Sequence, residues 1–181
     1  MSELVVLMRA VNVGGRTLPM AELRALCEKL GFGNPQTYIQ SGNLLIDSDE
    51  SPGETGNRLG AAIEKRFGFE VPLIIREARS WRRFIEANPF AGDDAVVEKM
   101  LHMLLADRPP PEGAVAALEP YTAAGERIRT AGDALWIDYA DGVGRSKLTP
   151  SRIDKAWGAK ATARNLRTVR KLQDMIEERT G

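Results

Sequence analysis

The stretch Thr37-Tyr38-Ile39-Gln40-Ser41-Gly42-Asn43-Leu44-Leu45-Ile46-Asp47-Ser48 decides how the whole chain is read. It holds two short β-prone runs broken by Ser41-Gly42-Asn43, and a glycine supplies the positive φ of a tight hairpin turn. The pattern predicts two antiparallel strands, with one strand bent at a glycine bulge as the alternative. Upstream, Leu4 to Val11 reads as a strand and Asn12-Val13-Gly14-Gly15-Arg16 as a loop. Pro19 then opens a helix that runs through Leu30 and stops at Gly31, proline in the first turn and glycine just past the last. Downstream, a helix from about Thr55 to Phe67 leads to a strand from Val71 to Arg76. With the hairpin reading the order is β-α-β-β-α-β, the pattern of a ferredoxin-like sheet.

The second half follows a similar course. Ser80 is placed to cap a short helix that Pro89 stops, and Gly92 to Asp94 is the expected join between subdomains spanning residues 1–91 and 92–181. Met100 to Ala106 reads as a strand, Ala114 to Leu118 as a short helix, and Pro150 to Trp157 and Ala163 to Glu178 as closing helices. A type II′ turn at Gly132-Asp133 would set Thr130 opposite Leu135, Arg129 opposite Trp136, Ile128 opposite Ile137 and Arg127 opposite Asp138. The expectation is an α+β chain whose second subdomain is a related β-α-β-β-α arrangement plus a long C-terminal helix.

At 181 residues and 43% hydrophobic, such a chain buries roughly 70% of its unfolded surface and needs no staples. A single cysteine excludes an internal disulfide framework, and Cys27 falls in the buried stripe Leu23, Leu26, Cys27, Leu30, which marks it as packing. The lone histidine, His102, lies in an apolar strand without partners of metal-binding spacing. The apolar run Leu4 to Met8 is too short for a membrane span and is flanked by Glu3 and Arg9, so a cytoplasmic protein off the membrane is expected.

Charge is the strongest functional hint. Nine of the 25 Lys and Arg residues fall between Arg145 and Lys171 against one acidic residue, Asp154, so a formally neutral chain carries +8 there and −8 elsewhere. One part of the molecule is built to meet an anion. With Thr162 as N-cap, Arg164, Arg167 and Lys171 form a basic ridge on the last helix, and Arg164 sits unfavourably at the positive end of its dipole. Opposite it in charge logic, Glu177 and Glu178 lie near the negative end. The loop Gly142-Val143-Gly144-Arg145-Ser146-Lys147 is no Walker A motif, because Arg-Ser-Lys stands where Gly-Lys-Ser would. It is suited instead to phosphate or carboxylate recognition. Gly14 and Gly15, bracketed by Arg9 and Arg16, form a second candidate anion loop, and Trp136 beside Arg129 a platform for a flat ligand.

The words Leu7-Met8-Arg9-Ala10-Val11-Asn12-Val13-Gly14-Gly15, Pro19-Met20-Ala21-Glu22-Leu23-Arg24 and Thr37-Tyr38-Ile39-Gln40-Ser41-Gly42-Asn43 resemble the opening of a bacterial family, domain of unknown function 1697. The likeness continues at Asn88-Pro89-Phe90, Gly144-Arg145-Ser146-Lys147-Leu148-Thr149 and Thr162-Ala163-Arg164-Asn165. The family commonly has Arg-Gly-Ile-Asn where this chain has Arg9-Ala10-Val11-Asn12, and an aromatic residue near Leu166. The resemblance implies two small α+β subdomains in a bacterial, cytoplasmic protein, and brings no established activity, catalytic residue, metal or cofactor.

These readings combine into one expectation: a basic cleft between the subdomains that takes a phosphate-bearing ligand or nucleic acid. Its expected lining is Arg9, Asn12, Gly14, Gly15, Ser41 and Asn43 from the first half, with Arg145, Ser146, Lys147, Arg164, Asn165, Arg167 and Lys171 from the second. Two alternatives stand beside it. One is an enzyme for a small phosphorylated or carboxylated metabolite, oriented by Asn12, Ser41, Asn43, Ser146 and Lys147; the other is a protein-interaction or self-association module.

Overall fold

The computed structural model describes all 181 residues, which divide into two compact units, Met1–Trp81 and Arg82–Gly181. In the first unit the order is β1 (Ser2–Met8), α1 (Met20–Lys29), β2 (Gly33–Tyr38), β3 (Asn43–Ser48), α2 (Pro52–Phe67) and β4 (Leu73–Glu77). The strands lie in the order β2-β3-β1-β4, every neighbour antiparallel, which is the ferredoxin-like arrangement. Residues 37–48 form the hairpin and not the bent strand, with Tyr38 paired to Asn43 across a four-residue turn.

Leu4, Val6 and Met8 of β1 and Leu44 and Ile46 of β3 pack with Leu23 and Cys27 of α1 and Leu59 and Ile63 of α2 in one core. The alternate residues Val5, Leu7 and Leu45 are equally buried, which is why these strands read as continuous apolar runs. Burial pushes the Cys27 thiol up to about 12, so it is a packing group. Helix α2 starts three residues ahead of the expected Thr55, because Ser51 and Glu54 form a capping box and Pro52 fills the first position.

The second unit repeats the path. Its elements are α3 (Arg82–Glu86), β5 (Leu101–Leu105), α4 (Ala114–Leu118), β6 (Arg127–Ala131), β7 (Ala134–Asp138), α5 (Pro150–Trp157), β8 (Thr162–Asn165) and α6 (Leu166–Thr180). The strand order β6-β7-β5-β8 matches the first sheet position for position, and all pairs are antiparallel. The unit therefore carries a complete β-α-β-β-α-β set, one strand more than the sequence suggested. Thr162-Ala163-Arg164-Asn165 is that strand, with Asn165 capping the helix by accepting from the Thr168 N–H at 2.9 Å. The expected cap at Thr162 is thus corrected by three residues. A four-residue strand gives almost no period to read, and Asn is an even better cap than Thr.

The β6–β7 register is the expected one at all four pairs, and Gly132 takes φ 55° at the turn. Leu104, Leu135 and Ile137 meet Leu118, Ile153 and Trp157 in the core under α4 and α5. The join between units lies at Trp81–Arg82, ahead of the Gly92 to Asp94 stretch. A strap explains why residues after Trp81 go with the second unit. Arg129 donates to the Pro89 carbonyl at 2.8 Å, Arg127 reaches Asp93 at 2.6 Å, and both guanidinium groups lie over the Phe90 ring at 4.6 and 4.9 Å.

Candidate functional site

In the first unit, the loop after β1 and the β2–β3 turn meet at one end of the sheet. Asn12 is the link: its Nδ2 donates to the Gln40 carbonyl at 2.6 Å and to the Leu18 carbonyl at 3.1 Å, while its Oδ1 accepts from the Leu18 N–H at 2.8 Å. Asn43 is fully buried and donates to the Tyr38 carbonyl at 3.0 Å and to Ser41 Oγ at 3.3 Å. Both amides are occupied in holding the turn together, so they act as scaffold. Ser41 is exposed, and the Arg9 N–H is bound to the Pro72 carbonyl at 3.0 Å.

Gly14 and Gly15 both have positive φ, 58° and 82°, and Val13 pairs with Arg16 across them. That is a two-residue hairpin of type I′, for which Gly-Gly is a favoured sequence. The turn stands ahead of Pro19, the N-cap of α1, so the glycines do not form the helix-start phosphate cradle that the sequence had left open. Gly42 has another role. At φ 86° it lets the backbone run so close to β1 that a Cβ there would lie 2.6 Å from Met8 Cβ and 2.7 Å from Val11 Cγ2. Ala10 also sits in the left-handed region, at φ 56°, where the related family commonly has glycine.

The second unit presents a different end. β7 and β8 both flank β5, with Leu101 opposite Asp138 and His102 opposite Asn165. Two strand spacings separate their ends, about 10 Å. The 139–149 loop leaves from the first and α6 starts from the second, so the root of this loop and the start of α6 share one end of the sheet.

This loop is braced throughout. Ser146 Oγ accepts from the Leu148 N–H at 3.1 Å, Leu148 is buried in the core, and Arg152 Nη1 donates to the Lys147 carbonyl at 2.7 Å. Arg145, Lys147 and Arg167 are exposed and make no ion pair. Nor do Arg152 of α5, the exposed Lys155 or the exposed Lys160. By contrast Arg170 pairs with Glu98 at 3.1 Å and Lys171 with Glu178 at 3.9 Å. The one acid of the segment, Asp154, is half-buried and accepts from the Ala161 N–H at 3.0 Å.

Arg164 requires a correction. It is on β8 and not in the first turn of a helix, and only 7% of it is exposed. Nη1 donates to Thr162 Oγ1 and to the Ala163 carbonyl, both at 2.8 Å, and burial brings its pKa down to about 10. The ridge of three cations is therefore broken, and the unfavourable dipole position belongs to Arg167, second residue of α6. Trp136 is also corrected: it is fully buried and offers no platform, the arginines of its sheet face being held by the Phe90 strap. Its register partner Arg129 and the neighbouring Arg127 are structural, with Arg127 bridging Asp93 at 2.6 Å and Asp138 at 2.8 Å. His102 contacts the Met100 carbonyl through Nδ1 at 3.1 Å and stands edge-on to Tyr139.

Sequence reasoning overlooked one pair. Arg152 lies over the Tyr121 ring at 4.1 Å from its centroid, and Tyr121 is 38% exposed. The basic run pointed to Arg152, but nothing in the sequence pointed to a tyrosine distant from it in the chain.

No curated protein is significantly similar to this sequence. Among solved structures, the conserved bacterial protein SP0830 from Streptococcus pneumoniae superposes with a TM-score of 0.72 at 22% identity, over 97% of this chain and 98% of that one. At that identity the likeness speaks for the fold alone. The profile described as "Protein of unknown function (DUF1697)" matches residues 1–136, and the chain belongs to that family.

Proposed function

We propose that the protein binds a phosphate-bearing ligand through the end of its second unit formed by the 139–149 loop and the first turn of α6. The observation that carries this reading is the set of unpaired, exposed cations Arg145, Lys147 and Arg167 on backbone that is itself pinned. Most exposed cations of an ordinary surface are solvated at no cost. Arg167 is different, because a cation at the start of a helix is unfavourable by about 0.3–1 kcal/mol. An anion seated beside it removes that penalty.

The test is thermal unfolding with tripolyphosphate, against sodium chloride of equal ionic strength. A hundredfold excess over the dissociation constant adds about 2.7 kcal/mol of stability, and replacing Arg145, Lys147 and Arg167 together by Gln abolishes the gain. An unchanged melting temperature in the wild-type chain would refute the proposal.

A second reading, a protein-interaction surface, draws on the first unit. Val13 and Ile39 are 57% and 51% exposed at the tips of loops joined by Asn12, and Ile39 holds φ 51°, a costly conformation for a β-branched side chain. Sedimentation equilibrium across a wide concentration range tests its self-association form, which a constant monomer mass would remove.

A further inference from the structure

Resting on the phosphate-binding reading, we infer that the ligand is a single-stranded nucleic acid, with a base stacked against the Arg152–Tyr121 pair and backbone phosphates held by Arg145, Lys147 and Lys155. Base stacking needs a flat, partly exposed and rigid group beside cations, and a basic patch with an interleaved aromatic is the arrangement that single-strand binders use. The cations lie within one run of chain, 145–155, and tertiary packing brings Tyr121 to it. Arg152 is fixed twice, by its hydrogen bond to the Lys147 carbonyl at 2.7 Å and by its seat over Tyr121 at 4.1 Å. Its guanidinium is therefore presented as a fixed plane, and both guanidinium planes and aromatic rings stack bases. Lys155, one turn along α5 from Arg152, shares its helix face, and Lys147 lies two residues before the helix cap Thr149.

The stacking pair favours a single strand over a duplex. Cavities of about 300 and 430 Å³ exist in the second unit, but Arg82, Ile85 and Gln173 border one and Val97, Arg127 and Asp138 the other. The unpaired cations of the 145–155 run border neither of these two. A duplex hides its base faces and cannot use the stacking pair.

The experiment is fluorescence anisotropy of the full chain with labelled 20-nucleotide oligo(U) and oligo(dT), and with a 20-base-pair duplex. The single strands are expected to bind with a log–log salt slope near −2.8, from about four phosphate contacts, Arg167 included. Tyr121→Ala is expected to weaken binding roughly 5- to 150-fold, the equivalent of one stacked base, and Tyr121→Phe to preserve it. Should Tyr121→Ala melt too readily to assay, Arg152→Lys keeps the charge, removes the plane and is expected to lose a similar factor. Three results would overturn the inference while leaving phosphate binding intact: tripolyphosphate binds but neither oligonucleotide does, the duplex binds as tightly as the strands, or Tyr121→Ala and Arg152→Lys leave affinity unchanged. If tripolyphosphate also fails to bind, both readings fall together.

Discussion

The two units follow the same path through their sheets and put opposite chemistry at their loop ends. In the first, the polar groups that the sequence marks out, Asn12 and Asn43, are turned inward and tie the loops to one another. In the second, Arg145, Lys147 and Arg167 are left facing water on a loop and a helix start that are themselves secured by other groups. A shared sheet plan thus serves as frame in both cases. What differs is whether the loop side chains complete the frame or are freed by it, and the freed ones are where a ligand is to be sought.

That contrast makes mutations in the first unit costly and those at the cationic end cheap. The largest effect is expected for Gly42→Val, which combines a left-handed backbone with a collision against Met8 and Val11; urea denaturation should show a loss of about 2–5 kcal/mol. Asn12→Ala comes next. It strands the Leu18 and Gln40 backbone groups that the side chain now satisfies, for a loss of about 1–3 kcal/mol by the same measurement.

On the other side of the comparison, Arg167→Glu is expected to raise stability by up to about 1 kcal/mol, because it puts an anion at the positive end of α6, while removing the tripolyphosphate response. A protein that lost stability there instead would erase the distinction between the two ends. The mildest effect concerns pH. Burial lowers the pKa of His102 from 6.5, so the fold favours its neutral form; this contribution is complete above pH about 6.5 and declines as pH falls through the lower folded value. Chemical denaturation from pH 8 to pH 5 should show that decline, and His102→Gln should reduce it.

How far these features can be read from the sequence depends on how local their causes are. The β6–β7 register follows from one turn, Gly132-Asp133, and period-two pairing, so all four expected partners are found opposite each other. The buried stripe Leu166, Val169, Leu172, Ile176 is likewise a matter of helical period. β8 escapes because four residues carry no period, and with it the place of Arg164, whose charge suggested solvent where the strand's register puts it against Met103. Gly14 and Gly15 show a subtler limit: a paired glycine announces a turn, but only the Val13–Arg16 pairing distinguishes a hairpin tip from an anion cradle. The Tyr121–Arg152 stack was beyond reach altogether, since it joins the 3-10 turn after α4 to α5 by tertiary packing.

The pairing of first with last strand in each sheet also governs the order of assembly as the chain is made. β1 keeps one flank unsealed from the appearance of Met8 until Leu73–Glu77 emerges, and β5 keeps one unsealed from the appearance of Leu105 until Thr162–Asn165 emerges, a wait of similar length. During those intervals the unpaired edges of β1 and β5 are the places where a nascent polypeptide of this kind is most open to chaperone capture or mispairing.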